Sequence, residues 1–412
     1  MSIALPARAA LAADLAINLD RFDLDGLARR HDTPFYVYDL ALVERRVEAL
    51  RAALPDTFRL AYAVKANPNA VVLERLARLG LGADIASGGE LERVVAAGFD
   101  PALIVFTGPG KRDSELAAAI AAGVGLITVE SPNELRRLEA LAASAGRRVP
   151  ILLRRSVDPE VALASESLRI IGDAGAGKFG MDDDDLRASV RFVLDSPWLD
   201  LHGVHAFGAS NLRDAAALVD HAQRTMTFGR GLAAEFGLPL RVIDAGGGLG
   251  IPYADDESPL DLDAFGSGLV ALARAWAADP LTAETRVLVE PGRFLVGPAG
   301  AYVTRVVDVK RVRGRAIAIV DGGINHLLRP VLVGQSQRIR RLGAGQGLGQ
   351  PTGAPVTIAG PLCTGLDILA RDLPIGLPEV GELVAVLDAG AYGFTESMPL
   401  FLSRPLPTEV VR

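Results

Sequence analysis

The feature that most restricts the fold is an alternation of short apolar runs with amphipathic stretches, which begins near Phe58. The apolar runs occupy residues 60–64, 82–86, 103–106, 125–129, 150–153, 201–207, 240–244 and 286–289. The amphipathic stretches occupy residues 71–79, 90–97, 113–122, 131–143, 184–194, 215–236 and 262–277. Strand and helix alternating about eight times over roughly 250 residues predicts an α/β fold of the (β/α)8 barrel type. A doubly wound open sheet is the main rival, and eight units fit it less well.

The pattern changes after Arg293. β-rich runs at 301–309, 316–320, 355–358 and 383–387 follow one another without a long amphipathic helix, which predicts a mainly β second domain. Residues 35–38 are typical of a strand, and Asp39 is a suitable N-cap for a helix over 42–54. We therefore expect a barrel domain at 37–293 and a β-rich domain formed by 1–36 and 294–412.

Two further segments, 156–177 and 342–354, carry no periodic pattern. Unpatterned segments of this length inside a compact domain are usually functional loops. We expect both to be mobile, and the first to act as a lid.

Composition excludes several classes of protein. The 412 residues carry a net charge of −7, which argues against a nucleic-acid partner, since phosphate binding needs clustered Lys and Arg. The single cysteine, Cys363, excludes an internal disulfide framework. No apolar run approaches the roughly 18 residues of a membrane span. The N-terminus lacks the basic region of a signal peptide. We expect a cytoplasmic protein without membrane contact.

A (β/α)8 barrel carries its functional residues just after the carboxyl ends of its strands. The reactive side chains of this sequence fall at such positions: Lys65, Asp84, Ser87, Arg154, His205, Phe207, Ser210, residues 244–250 and residues 290–293. Lys65 has two interpretations. Its stem packs while its ammonium stays in water, or it is a nucleophilic amine whose pKa is lowered by desolvation.

Three of these strand ends together match the needs of pyridoxal phosphate. Lys65 supplies an amine for covalent attachment, and the backbone N–H groups of 246–248 can approach a phosphate closely. A carboxylate at another strand end can hold a proton on the pyridine nitrogen, which lets the ring accept electrons. The glycine triplet by itself is equally compatible with a plain tight turn. It is not a dinucleotide fingerprint, because Ile251 stands where the last glycine would be needed.

With these features the sequence resembles the fold-type III pyridoxal-phosphate decarboxylases, the family of the diaminopimelate, ornithine and arginine decarboxylases. The resemblance covers about residues 30–408 and rests on motifs at 62–67, 84–87, 177–180, 244–248, 290–293, 321–325, 360–363 and 390–393. It implies a barrel of the alanine-racemase type, pyridoxal 5'-phosphate as cofactor, a small amino-acid substrate and a homodimer with shared active sites.

The resemblance also implies roles for single residues. Lys65 would attach the cofactor, Glu290 would pair with the pyridine nitrogen, and Cys363 would return a proton to Cα. Arg329 would contact a substrate carboxylate, and Thr364 would lie at the distal end of the substrate. The other implied cofactor-binding residues are Asp84, Arg154, Phe207, Ser210, Gly246, Gly247, Gly248, Gly292, Arg293 and Tyr392. No metal is implied, and Cys363 and Tyr392 would reach an active site built mainly by the other subunit.

Several of these residues have simpler interpretations. A single free cysteine is most often a small buried hydrophobic residue, so only the motif around Cys363 favours catalysis. His205 is typical of a structural histidine. Arg329 can simply pair with a carboxylate between the domains.

Three positions depart from the family pattern. Phe207 replaces a histidine that stacks on the cofactor, Thr364 replaces an acidic residue that reads a distal amine, and Val333 replaces a tyrosine. Without that carboxylate the site cannot offset the desolvation of a distal ammonium, and it should reject free diamino acids. The pattern is closer to decarboxylases of carrier-protein-linked aminoacyl groups, including the butirosin-pathway and exosortase-associated types. A decarboxylase of a free diamino acid remains the alternative.

Other functional classes remain open. An alanine-racemase-like enzyme shares the barrel, but it would place an arginine at the pyridine nitrogen instead of Glu290. A non-catalytic binding homologue would not need Lys65 and Glu290. An acidic carrier protein would need a basic patch, and two clusters qualify: 310–315 and 338–341. Each is equally compatible with an ordinary solvated face.

Overall fold

The computed structural model of the chain describes residues 16–157, 177–208, 210–342 and 353–412. These residues form two compact units. One comprises Glu48–Gly250 and Leu260–Gly292, and the other comprises the described parts of Met1–Val47, Ile251–Pro259 and Arg293–Arg412. Residues 37–47 and 251–259, which the sequence interpretation gave to the barrel domain, group here with the second unit. The boundary at residues 37 and 293 stays a prediction.

Sixteen strands lie in the described residues. In chain order they are β1 (Phe35–Tyr38), β2 (Phe58–Ala63), β3 (Gly82–Ile85), β4 (Ile104–Phe106), β5 (Leu126–Val129), β6 (Val149–Arg154), β7 (Leu199–His205), β8 (Val242–Asp244), β9 (Arg286–Val289), β10 (Gly300–Val312), β11 (Arg315–Val320), β12 (Ile339–Leu342), β13 (Val356–Ala359), β14 (Ile368–Leu373), β15 (Leu383–Val386) and β16 (Thr408–Val411).

The first unit contains a closed barrel of β2 to β9. Each strand pairs in parallel with the next along the chain, and β9 returns to β2 with Phe58 opposite Val287. The strands are buried on both faces, because side chains fill the interior and helices cover the outside. The predicted (β/α)8 barrel is confirmed, and all eight apolar runs became its strands.

Helices alternate with the barrel strands and are fixed by local capping. They span Ala70–Arg78, Gly88–Ala96, Asp113–Ala122, Pro132–Ala145, Asp183–Asp195, Ala215–Phe236 and Leu262–Ala277. Ser87 and Ser131 accept N–H groups of the first turn that would otherwise lack partners. Gly146 and Gly237 end their helices in the left-handed region, where a side chain would be strained.

The second unit is mainly β, as predicted. Its main sheet has the order β12-β15-β10-β11-β13-β14, and β1 pairs with β10 and β16. The first strand of the chain therefore belongs to the second unit: β1 is antiparallel to β10 and parallel to β16. Asp39 accepts the Leu42 N–H and so caps the helix Leu40–Ala53. The remaining helices span Leu24–His31, Arg293–Val296 and Arg329–Val333.

The predicted loops at 156–177 and 342–354 lie largely outside the described residues. In the part of the chain that is described, no helix is both long and apolar enough to cross a membrane.

Candidate active site

Lys65 lies at the carboxyl end of β2, in a single 3₁₀ turn over Val64–Ala66. Its Nζ is 2.8 Å from Oδ2 of Asp84, whose side chain is 1% exposed, and the lysine side chain is 43% exposed. The other Asp84 oxygen, Oδ1, accepts from the hydroxyl of Thr107 at 2.6 Å. Both Asp84 oxygens are thus used, and the amine is held at the barrel mouth while still reachable from outside.

His205, Asp244 and Glu290 form a second group, which we call the open cluster. They end β7 and β8 and follow β9, and ligand atoms of all three lie within 4.8 Å of one another. All three are buried, and the His205 Nε2 to Glu290 Oε2 distance is 3.8 Å. Both His205 ring nitrogens, Asp244 Oδ2 and Glu290 Oε1 have no hydrogen-bond partner among the described residues. Buried polar atoms without partners are costly and need a reason.

The pKa values of the open cluster are shifted toward neutral forms. Burial raises the pKa of Asp244 to about 7. Burial, and next the Asp244 carboxyl, raise the pKa of Glu290 well above its ordinary value. Burial, with a smaller contribution from Arg154, lowers the pKa of His205 well below its ordinary value. Two carboxyls this close cannot both ionise easily, so together they retain a proton near neutral pH.

A contrasting group lies at and after the carboxyl ends of β4, β5 and β6, and we call it the paired network. Lys111 Nζ donates to Glu134 Oε1 and to the carbonyls of Gly108 and Thr128, each at 2.7 Å. Both charged side chains are buried. Burial lowers the pKa of Lys111 and raises that of Glu134, and their mutual attraction opposes both shifts. Sequence reasoning assigned no role to Lys111.

Arg154 belongs to the same network. Its Nη1 donates to Glu130 Oε1 at 2.6 Å, and its guanidinium lies 4.7 Å from the ring centre of Phe179. Glu130 also accepts the N–H groups of Gly108 and Gly180. Thr107 and Glu130 were not predicted as site residues, although both directly follow predicted strands, which is the criterion that selected Lys65.

The glycine loop after β8 has a conformation that only small residues tolerate. Gly246 and Gly248 have φ of 67° and 92°, and a Cβ on Gly247 would lie 2.2 Å from the carbonyl oxygen of Glu290. The N–H groups of Gly247 and Gly248 make no hydrogen bond within the described residues. Free N–H groups on such a loop suit an anion such as phosphate.

Three further predicted residues surround this part of the barrel. A Cβ on Gly246 would lie 3.0 Å from the ring of Phe207, so the aromatic side chain lies beside the glycine loop. Gly292 packs against the Lys65 turn, since a Cβ there would lie 2.8 Å from that of Ala66. Ser210 is half-buried and follows β7.

The second unit holds another set of predicted residues. The Tyr392 ring lies between two guanidinium groups, with Arg293 at 4.7 Å and Arg329 at 4.6 Å from its centre. Arg293 donates to the hydroxyl of Tyr253 at 2.6 Å. Arg329 pairs with Glu396 at 2.8 Å, so its carboxylate partner lies within the same unit and not across a domain boundary.

Cys363 lies on the loop between β13 and β14 and is exposed. The interpretation of Cys363 as a buried hydrophobic residue is therefore wrong, because the described residues leave its side chain exposed. Asp367 fixes this loop: its carboxylate accepts the N–H groups of Ile324 and Leu362 at 2.8 Å. The neighbouring Thr364 is half-buried, and its hydroxyl accepts the N–H of Leu366 at 3.3 Å.

The barrel end fits pyridoxal phosphate. Lys65 offers a reachable amine, the glycine loop offers free N–H groups, and Glu290 offers a buried oxygen without a donor. A protonated ring nitrogen would supply that donor, and phosphate oxygens would accept from the glycine loop. The cofactor would therefore supply hydrogen-bond partners both for Glu290 and for the N–H groups of the glycine loop.

Comparison with known proteins gives the class. Residues 40–297 match the family described as pyridoxal-dependent decarboxylase, pyridoxal binding domain. The chain belongs to this family. It is a pyridoxal-phosphate-dependent decarboxylase of amino acids.

Individual relatives cover nearly the whole chain. The L-glutamyl-[BtrI acyl-carrier protein] decarboxylase of Niallia circulans is 32% identical over 96% of this chain and 92% of its own. The diaminopimelate decarboxylase of Vibrio cholerae is 37% identical over 95% of this chain and 90% of its own. The crystal structure of diaminopimelate decarboxylase from Helicobacter pylori, complexed with L-lysine, superposes with a TM-score of 0.85 at 28% identity, covering 95% and 94% of the two chains.

Proposed function

We propose that this decarboxylase removes the α-carboxylate of an aminoacyl group linked to a carrier protein. The observation that carries the proposal is the loop of residues 360–367, which is fully described and offers no free carboxylate. Thr364 follows Cys363, and the single carboxylate, Asp367, is 2% exposed and accepts two backbone N–H groups. A distal ammonium would have no partner on this loop, and leaving it unpaired costs several kcal/mol.

Two further features support this substrate class. Val333, which ends the helix Arg329–Val333, offers no hydroxyl where the family pattern has a tyrosine. The Niallia circulans relative is named for a substrate that is carried by a protein. An aminoacyl group tethered through its side-chain carboxyl keeps its α-carboxylate free, enters without a charged distal end and needs no acidic partner.

A second candidate is the decarboxylation of a free diamino acid. It is favoured by the 37% identity with the Vibrio cholerae diaminopimelate decarboxylase. The two candidates differ in one requirement, because a free diamino acid needs a carboxylate for its distal ammonium and a carrier-linked group does not.

The proposed roles follow from the contacts of each residue. Lys65, held by Asp84, supplies the amine for covalent attachment of the cofactor. The free N–H groups of Gly247 and Gly248 bind its phosphate, together with Ser210, Arg293 and Tyr392. When bound, the cofactor supplies an electron sink for the electron pair left when the carboxylate departs.

The ring-facing residues set the proton positions. Glu290 would hold a proton at the pyridine nitrogen. Burial and the neighbouring Asp244 carboxyl raise the pKa of Glu290, which limits the negative charge of the open cluster. Phe207 would lie against the cofactor ring without donating a hydrogen bond. Asp84 orients the Lys65 amine, and Arg154 pairs with Glu130 at the mouth. Arg329 binds a substrate carboxylate, for which it would exchange its contact with Glu396.

Cys363 is proposed to return a proton to Cα, from an active site shared across a homodimer. Its exposure on the second unit leaves the thiol accessible to a partner subunit. The same unit exposes apolar side chains, including Leu366 at 65%, Leu400 at 84% and Leu406 at 59%. Covering these side chains with a second subunit would contribute to the stability of a dimer.

Mixing variants tests the shared site. Lys65→Ala and Cys363→Ala subunits are each expected to be inactive or slow, by about 10²–10⁴-fold for the missing proton donor. Mixed and reassembled, they should regain part of the activity if each site takes residues from both subunits. No recovery in demonstrably mixed dimers would contradict sharing.

The substrate proposal is tested by mass spectrometry for loss of carbon dioxide. The panel contains free glutamate, ornithine, lysine and diaminopimelate, and glutamate loaded on a carrier protein through its side-chain carboxyl. We expect turnover of a carrier-linked group and poor turnover of the free diamino acids, with Lys65→Ala as the inactive control. Efficient turnover of free diaminopimelate would establish the second candidate instead.

A further inference from the structure

A cleft of about 580 Å³ lies on one face of the sheet in the second unit. It is formed by β10, β11, β13 and β14, on the face opposite to the core residues Ala316, Ala318 and Val320. Ile317 and Ile319 are half-buried at its floor. Four exposed cations line its edge: Lys310, Arg313, Arg315 and Arg371. The cleft thus combines an apolar floor with a positive rim, and no carboxylate of the described residues lines it.

The four positive charges of this cleft are not neutralised by neighbouring side chains among the described residues. Among the described residues, none of the four cations makes an ion pair or a hydrogen bond. Asp308, two residues before Lys310, and Asp372, beside Arg371, are the nearest carboxylates along the chain, and neither pairs with them. Like charges gathered without partners repel one another, so the arrangement has a cost that a negatively charged partner would remove.

The other basic cluster of this unit is different. Arg338 pairs with Asp388, Arg340 with Asp255 and Arg341 with Glu382, at 2.5 to 2.7 Å. The Arg340 side chain is 9% exposed. The sequence analysis gave 338–341 as a possible docking patch alongside 310–315. The prediction for 338–341 is wrong, because the positive charge of its arginines is neutralised within the fold.

We propose that the cleft is the docking site of the acidic carrier protein that delivers the aminoacyl group, an inference that rests on the proposed function. Carboxylates of the carrier meet the four cations, and an apolar side chain beside them fills the floor. A chain with a net charge of −7 needs such a local patch to attract an acidic partner.

The position of the cleft is compatible with delivery. Ala359 lines the cleft and ends β13, and Cys363 follows four residues later. Four residues span at most about 14 Å. A carrier seated on the cleft is therefore close to the loop that contributes Cys363, and a flexible prosthetic arm bridges such a gap.

An acidic protein suits the cleft better than a nucleic acid. Nucleic-acid binding depends on many phosphate contacts spread along a basic surface, whereas this cleft has four cations around an apolar floor within an acidic chain. Binding of RNA is therefore an outcome that the experiment must detect.

The experiment compares two charge reversals in the full-length holoenzyme. Arg313→Glu with Arg315→Glu alters the cleft, and Arg136→Glu with Arg274→Glu makes the same change in net charge on exposed positions of two barrel helices. Each is assayed with an aminoacyl-loaded acyl carrier protein and with the same aminoacyl group on free pantetheine. Circular dichroism verifies that both variants fold.

We expect the cleft variant to lose roughly tenfold or more in kcat/KM for the carrier-linked substrate, mainly through KM, with a weakened salt dependence. Its activity on the pantetheine substrate and both activities of the control variant should stay unchanged. Full carrier activity in the cleft variant would overturn the docking site, as would competition by a single-stranded RNA at low concentration. The proposed function fails differently, since neither linked substrate would then be turned over by the unaltered enzyme.

Discussion

The barrel mouth carries two buried polar groups that differ in one respect. In the paired network, Lys111, Glu134, Glu130 and Arg154 place their charged atoms against carboxylates, carbonyls and N–H groups. In the open cluster, four polar atoms of His205, Asp244 and Glu290 have no partner within the described residues. The two groups are similarly buried, so burial alone does not distinguish them. The unmet hydrogen bonds distinguish the open cluster, which we propose as the part of the site that faces the cofactor ring.

This difference separates stability from chemistry. A satisfied buried network contributes to holding its loops, and removing one member leaves a charge uncompensated. An unsatisfied cluster costs stability in the cofactor-free protein and recovers it when a ligand supplies the missing partners. Variants of the two groups should therefore affect different measurements.

The largest effect on stability is expected from the paired network. Lys111→Met leaves Glu134 buried without its cation and should lower the free energy of unfolding by about 3–5 kcal/mol. Urea denaturation of the cofactor-free protein measures it. Adding Glu134→Met should restore much of the loss, because no buried charge then remains. A Lys111→Met variant as stable as the parent would remove the distinction between the groups.

The open cluster should give the converse result. Glu290→Gln keeps the shape but removes the ionisable group beside the cofactor ring, and we expect kcat to fall on the order of 10²–10³-fold, as for other preorganised electrostatic groups. The unfolding midpoint of the cofactor-free protein should not fall, because glutamine is neutral, and burial and the Asp244 carboxyl already favour the neutral form of Glu290 by raising its pKa. Retained activity together with a large loss of stability would reverse the interpretation.

Asp244 provides a smaller effect that depends on pH. Because its pKa is raised to about 7 in the folded state, the folded protein binds more protons than the unfolded one between about pH 4 and 7. The stability that this group contributes is present at low pH and is lost as pH rises through 7. Glu290 acts in the same direction, and His205, whose pKa is lowered, acts in the opposite one.

Asp244→Asn should therefore flatten this part of the pH dependence. The measurement is the unfolding free energy of cofactor-free parent and variant at several pH values from 4 to 8, and the difference between the two should grow with pH. An unchanged difference across that range would show that Asp244 titrates normally.

The smallest expected effect is that of a chelator. The open cluster offers three ligand atoms within 4.8 Å, a geometry that a divalent metal ion also accepts. The family assignment and the sequence predict no metal, so dialysis of the holoenzyme against EDTA should leave kcat/KM unchanged. A loss of activity restored by zinc or manganese would assign the cluster to a metal.

Local pattern was sufficient to predict the barrel. Its strands are continuous apolar runs, because both faces are buried, and its helices carry a regular apolar stripe. Pattern failed for β12, β14 and β16. Arg340 and Arg341 interrupt β12, and Arg371 and Asp372 interrupt β14, since an edge strand with one solvated face resembles a loop.

Pairing over long distances could not be predicted from one sequence. The charges of 338–341 looked available, yet their partners Asp388, Asp255 and Glu382 lie 50, 85 and 41 residues away. For the same reason the sequence did not indicate that Arg154 pairs with Glu130, or that Lys111 pairs with Glu134. The sequence did predict which polar and charged residues follow the barrel strands, because this depends only on their position along the chain.

The placement of β1 has a consequence for how the chain is made. The barrel can close once β9 has left the ribosome, since all its strands are consecutive. The sheet of the second unit cannot, because β1 is synthesised early and waits for β10 and then for β16, more than 350 residues later. During that interval both edges of β1, an apolar strand that is buried in the folded protein, can pair with strands of other chains. Translation speed and chaperone supply should therefore govern the yield of the second unit more strongly than that of the barrel.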